Sequence, residues 1–157
     1  MLKTPSLAMP ARHLPGTDLR MRRSRRSDLD VVRDLLGDAA SAIGPKAFRR
    51  LLAGLDADVY LAVDVTETVV GLVAIGYARL ASVGGLAAWL DAVVVRAEPS
   101  AAVAEGLVRF AEDRARRRGC RKIVAAPAPD DERFRAALVG CGFAMGEGFT
   151  KRLAGVT

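Results

Sequence analysis

The sequence predicts an α/β domain: a mixed sheet of six to seven strands flanked by about four helices. Three observations carry this. Residues 86–126 read as strand, short loop, long helix and strand, a βαβ unit whose crossover should be right-handed and lie on a mostly buried sheet. Residues 59–63 and 69–78 are apolar, β-branched runs on either side of the polar stretch 64–68, as in an antiparallel hairpin. Ahead of them, Leu29, Val32, Leu35, Leu36 and Ala39, and then Phe48, Leu51, Leu52 and Leu55, recur at helical spacing.

In chain order, residues 1–18 carry Pro, Thr, Ser and Gly without periodicity and read as a mobile basic arm ahead of a domain over 19–157. Residues 19–23 alternate, Leu19 and Met21 inward with Arg20 and Arg22 outward, as a half-exposed strand does. Ser27 is placed to cap the first helix, with Asp28 and Asp30 in its first turn, and Gly44-Pro45 opens the second. Residues 82–85 turn the chain into the central strand with its run Val93, Val94 and Val95. Pro99 breaks that strand, and Ser100 reads as N-cap of a helix beginning at Ala101. Val103, Leu107, Phe110 and Ala111 form its apolar face. Glu105 with Arg109, Glu112 with Arg116 and Asp113 with Arg117 make acid-before-base pairs, and Gly119 supplies the stop. Residues 122–126 resume a strand. Asp130 and Asp131 start a last helix containing Phe134, Ala137 and Leu138, and 143–145 and 149–153 read as two short closing strands.

The net charge is +6. Residues 1–26 hold seven Lys or Arg against the single acid Asp18, so the remaining body is neutral and an anionic partner would meet the N-terminal segment. No apolar stretch has the length of a membrane span, and Pro5, Pro10, Arg12 and Pro15 interrupt any signal-like apolar region, so the cytoplasm is the expected location. Cys120 and Cys141 fit no metal-ligand spacing and read as buried thiols rather than a disulfide; no metal site is expected. His13, the single histidine, falls in the arm, which excludes a histidine-based triad.

The order of elements, with several local motifs, resembles the GNAT superfamily of acyl-CoA-dependent N-acetyltransferases over residues 19–153. The opening strand and helix start from Met21 to Leu29, the pair Val70-Gly71, the helix stretch with Ala115, Gly119 and Cys120, and the closing segment with Gly142-Phe143 are the matching pieces. The resemblance implies a transferase that moves an acetyl group from acetyl-CoA, its co-substrate, to a primary amine of a small molecule or protein by direct attack. It implies Asp91 as the base that deprotonates the amine. It implies cofactor contacts from Val93, Val94 and Val95 on the strand and from Ser100, Ala101, Ala102, Val103 and Ala104 at the loop and helix start. Glycines there would let backbone N–H groups approach the pyrophosphate, and the helix N-terminus adds a favourable field. Pro99 stands where the family has Arg or Gln, Ala102 where it has its first glycine, and Leu138 where it often has a proton-donating Tyr.

Each of these residues also has a plainer role. Asp91 reads equally as a strand-end carboxylate at a cleft or rim, and Glu98 as an acid that favours the helix dipole. Ser100 reads as a cap alone, Trp89 as a half-buried sheet or cleft residue with core packing first and substrate or interface contact second, and Tyr60 and Tyr77 as core or edge residues. The cluster Arg114, Arg116, Arg117 and Arg118 reads as a solvated helix end. The alternative function is a catalytically inactive domain of this fold that binds protein or nucleic acid through its basic N-terminal segment, with Arg20, Arg22, Arg23, Arg25 and Arg26 meeting an acidic partner. Residues 1–47 carry no aromatic side chain to stack on bases. The acceptor pocket is expected between the first two helices and the loops 82–85 and 146–148. A homodimer through the sheet edge or the closing strands would suit the fold.

Overall fold

Strands that are apolar on both faces must be covered on both faces, and that requirement shapes this chain. The computed structural model describes residues 12–14, 16–37 and 42–146. Its strands are β1 (Arg12–His13), β2 (Arg20–Arg23), β3 (Ala57–Val63), β4 (Val69–Leu80), β5 (Gly85–Val95) and β6 (Lys122–Ala125). Its α-helices are α1 (Leu29–Leu36), α2 (Pro45–Ala53), α3 (Ser100–Arg117) and α4 (Glu132–Gly140), with a 3-10 turn (Arg26–Asp28) before α1. The strands lie in sequence order; every neighbouring pair is antiparallel except β5 and β6, which the α3 crossover makes parallel.

Two cores result. Val73, Ile75, Leu90, Val93 and Val95 pack under α3 and α4 against Val103, Leu107, Ala111 and Phe134. On the opposite face Leu61, Leu72 and Ala74 meet Val32 and Leu35 of α1 and Phe48 of α2. The α3 helix ends as its sequence requires. Gly119 adopts a left-handed φ of 78°, its N–H donates to the Arg116 carbonyl at 2.9 Å, and Cys120 N–H donates to Ala115 at 2.9 Å. The Asp131 carboxylate caps α4 by accepting from Phe134 N–H at 3.1 Å. Among the described residues, no helix is long and apolar enough to cross a membrane.

The structure corrects several sequence expectations. The sheet consists of five full strands plus the two-residue β1, so six to seven full strands are not found among the described residues. Residues 143–145, expected as a strand, run irregularly after Gly142; 149–153 lie outside the described residues, as do Ala39 and residues 1–11. The folded part begins before residue 19. Leu14 is 1% exposed and packs on Gly106 of α3, where a Cβ would come within 2.8 Å of the leucine Cγ. Ser27 is not a cap: the Asp28 carboxylate accepts the Arg25 N–H at 2.7 Å while Arg22 grips it with two guanidinium N–H groups at 2.8 and 2.9 Å. Ser100 is the first helical residue rather than the N-cap, which is Pro99.

The least legible feature in the sequence is Asp58. Its side chain is fully buried on the α3 face of β3, and Arg23 of β2 donates to it at 2.9 Å. Tyr77 of β4 donates its O–H to it at 2.8 Å, Arg114 of α3 stands at 3.3 Å, and Arg118 beyond the helix end at 3.8 Å. Burial first, and then the bond to Asp58, hold the Tyr77 phenol well above its ordinary value. The expected solvated end of α3 is therefore half wrong. Arg116 and Arg117 pair along the helix with Glu112 and Asp113, but Arg114 and Arg118 turn inward.

Replacing Asp58 by Ala should leave three guanidinium groups around an empty buried site and lower stability by about 3–5 kcal/mol in urea unfolding. Arg116→Ala, which breaks an exposed pair, should cost no more than about 0.5 kcal/mol. Asp28 supplies a pH signature. Its bond with Arg22 chiefly holds its carboxyl below the ordinary 3.8, so its stabilisation is present above that value and lost as pH falls through the lowered folded one. Asp28→Asn should thus be clearly less stable than the parent at neutral pH, with the gap closing as pH falls below 3.8.

Candidate functional site

The site begins with a register shift. Ala74 lies opposite Ala92 and Ile75 opposite Leu90, which leaves Asp91 as an extra residue on β5. Before this bulge Ala88 and Leu90 face the α3 core; after it Val93 and Val95 do. The bulge therefore restores the apolar pattern and sets Asp91, exposed, beside Ala92 on the α1–α2 face.

The same point is where β5 and β6 part. Their parallel pairing runs from Ala87 with Lys122 to Leu90 with Ala125 and stops. Beyond it Ala126 and Pro127 carry the chain away, and among the described residues no strand pairs with 91–95 on that side. The sole side chain bonded to that edge is Arg133 of α4, which donates to the Val95 carbonyl at 3.0 Å, among the described residues. The fork thus has Asp91 at its apex and the start of α3 at its mouth.

At the mouth, Ser100, Ala101 and Ala102 form the first turn of α3, while Val103 and Ala104 are buried under the sheet. Val103 N–H donates to the Pro99 carbonyl at 3.2 Å, and Ser100 N–H to the Glu98 carboxylate at 3.1 Å. The N–H groups of Ala101 and Ala102 have no partner among the described residues. Arg96, four residues before Ser100, is engaged by Asp34, donating at 2.7 Å to its carboxylate and at 3.0 Å to its carbonyl. The sequence residues Asp91, Val93, Val95, Ser100, Ala101 and Ala102 are thus brought around one fork. Val94 packs toward α1, and Val103 and Ala104 offer it no side chain.

Below the apex, on the α2 side of the sheet, lies a cavity of about 410 Å³ whose walls include Leu51, Gly76, Leu80, Trp89 and Asp91. Trp89 is 48% exposed and lines this cavity, a cleft position as the sequence allowed, rather than packing in either core. The expected pocket builders are corrected. Of the first two helices Leu51 alone lines it, the loop 82–85 does not, Gly146 belongs to a second cleft outside β6, and 147–148 lie outside the described residues. Leu138 is buried in the core, Tyr77 is committed to Asp58 and Tyr60 packs edge-on to Phe110, so no phenol stands at the fork. Cys120 and Cys141 are free and half-buried, and burial pushes both thiols up. Among the described residues no group of three or more metal-ligating side chains gathers.

The basic segment is largely engaged within the fold. Arg20 pairs with Glu67, Arg22 with Asp28 and Arg23 with Asp58, which leaves Arg25 and Arg26 exposed.

No protein-family model matches this chain, and no curated protein matches it in sequence. Solved structures do match in fold. A transcriptional regulator from Bacillus halodurans superposes with a TM-score of 0.71 at 20% identity, over 86% of this chain and 99% of that one. An aminoglycoside 6′-N-acetyltransferase from Acinetobacter baumannii gives 0.69 at 18% identity, over 88% and 99%. A glucosamine-6-phosphate N-acetyltransferase from Arabidopsis thaliana gives 0.69 at 16% identity, again over 88% and 99%.

Proposed function

The chain has the GNAT fold, and on that premise we propose that it is an acyl-CoA-dependent N-acetyltransferase acting on a primary amine by direct attack. The observation that carries this reading is the fork: a bulge-borne carboxylate at its apex, a strand edge with no partner strand among the described residues along one side, and a helix N-terminus at its mouth.

The backbone fits acetyl-CoA better than the side chains do. The edge at Val93 and Val95 would take the amides of the pantetheine arm, and the N–H groups of Ala101 and Ala102, with the Ser100 hydroxyl, would take the pyrophosphate. Pro99 adds no cation, Arg96 is held by Asp34, and the Glu98 carboxylate already sits on one helix-terminal N–H. When bound, acetyl-CoA supplies an activated acetyl thioester. Asp91 accepts the proton that the attacking amine gives up. Leu138 gives no proton to the departing thiolate, so water does.

The alternative, a catalytically silent module that binds through its basic segment, has no comparable observation behind it, because three of the five arginines concerned are already paired.

Titration calorimetry with acetyl-CoA tests the reading, with the double variant Ser100→Arg, Ala102→Gly alongside. Wild-type binding, strengthened in the variant, is the expected outcome; silence from both proteins overturns it. Glu98→Gln removes the charge competing at the helix terminus and should raise acetyl-CoA affinity about 2- to 5-fold. Asp91→Asn should lower kcat/KM with an accepted amine by about 10²- to 10⁴-fold while acetyl-CoA affinity stays unchanged.

A further inference from the structure

The cavity beside Asp91 has a composition that selects its ligand. Its charged lining residues are Asp56, Asp58 and Asp91; no Lys, Arg or His lines it. Asp58 turns its carboxylate to the other face, where Tyr77 and three arginines hold it, so the charge left for a ligand is the acid pair Asp56 and Asp91. The remaining walls are almost entirely aliphatic, from Val59, Ala74, Ala78 and Ala87, and the floor is open at Gly76 opposite Trp89.

A second observation points the same way. Leu51, Leu80 and Trp89 are large apolar side chains left 37%, 43% and 48% exposed, and all three line this cavity. Such a cluster beside a cavity marks a surface that a ligand covers.

We propose that the acceptor is a small primary amine with an apolar, preferably aromatic, body: the body lies against Trp89, Leu51 and Leu80, and the amino group is drawn to Asp91 at the fork. The volume suits a ring with a short chain, since small-molecule sites run from about 300 to 1,000 Å³. Amino sugars and sugar phosphates are disfavoured. Their hydroxyls would lose water against walls that offer few hydrogen bonds, and a phosphate would find no cation. This separates the chain from the two structural neighbours named for an aminoglycoside and for glucosamine-6-phosphate. The role of the ligand as acceptor rests on the transfer reading above; its binding does not.

Trp89 is the only tryptophan in the chain and lines both this cavity and the cleft outside β6, so intrinsic fluorescence reports binding at either and the variants below assign the signal. Phenethylamine, glucosamine-6-phosphate and kanamycin are titrated separately into the full-length protein without acetyl-CoA. Phenethylamine should give a saturable change at a Kd at least about tenfold below that of either polar amine. Gly76→Val tests the location. A Cβ there meets nothing closer than 3.9 Å, and a β-branched residue suits a strand, so the variant should keep its far-UV circular dichroism while its methyl groups fill the floor. It should weaken phenethylamine at least about tenfold and leave calorimetric acetyl-CoA binding unchanged. Leu80→Ser, at the exposed strand end, should weaken it in the same direction. No saturable signal, equal affinity for the polar amines, or indifference to both variants overturns the proposal. Loss of acetyl-CoA binding alone overturns the transfer reading and leaves the amine result standing.

Discussion

One buried carboxylate ties the sheet to its crossover helix. Asp58 collects a guanidinium from β2, a phenol from β4, and two guanidinium groups from α3 and the turn that ends it, so four parts of the chain must arrive before its charge is satisfied. An unpaired carboxylate at zero exposure is costly, and the folded arrangement is the one that supplies donors from every side. Arg118 also donates to the Leu55 carbonyl and lies 4.0 Å over the Tyr77 ring, which extends the cluster to the loop between α2 and β3. The orientation of α3 on the sheet, and with it the position of its N-terminus, follows from this anchor at its C-terminal end.

With α3 so placed, the bulge at Asp91 decides the rest. A strand without it would carry its apolar side chains to the wrong face after Leu90, because a shift of one residue inverts the alternation. The extra residue keeps Val93 and Val95 in the core and leaves a carboxylate outside it, at the level where β6 diverges. Structural need and chemical opportunity therefore meet at one position.

The mouth of the fork shows how far a shared fold can carry different chemistry. The donors that remain are backbone groups, which any sequence of this fold would offer, whereas the side chains around them face elsewhere: Arg96 to Asp34, Glu98 to the helix end, Arg133 to the Val95 carbonyl. That the fold is shared with proteins named as acetyltransferases and with one named as a transcriptional regulator is consistent with function residing in such local groups.

The sequence by itself determined the elements and their order. The apolar, β-branched runs of 59–63 and 69–78, helical spacing from Val103 to Ala111, and the stops at Gly119 and Gly142 are local signals, and local backbone geometry obeys them. It also placed Asp91 on the strand at the fork. Only the tertiary structure decided what the charges and rings do. Asp58, at an inward position of β3 in line with Tyr60 and Ala62, was a signal in plain view, yet its four partners, Arg23, Tyr77, Arg114 and Arg118, lie on other elements, and sequence spacing says nothing of such contacts. Trp89 read as a half-buried sheet or cleft residue with packing its first role; the structure leaves it 48% exposed on the wall of a cavity that Leu51 of α2 also lines. The arginines from 20 to 26 read first as an alternating strand and loop that need no ligand, with docking on a partner second, and the fold pairs Arg20, Arg22 and Arg23 with its own carboxylates. Periodicity is a property of neighbours along the chain, whereas burial and ion pairing belong to neighbours in space.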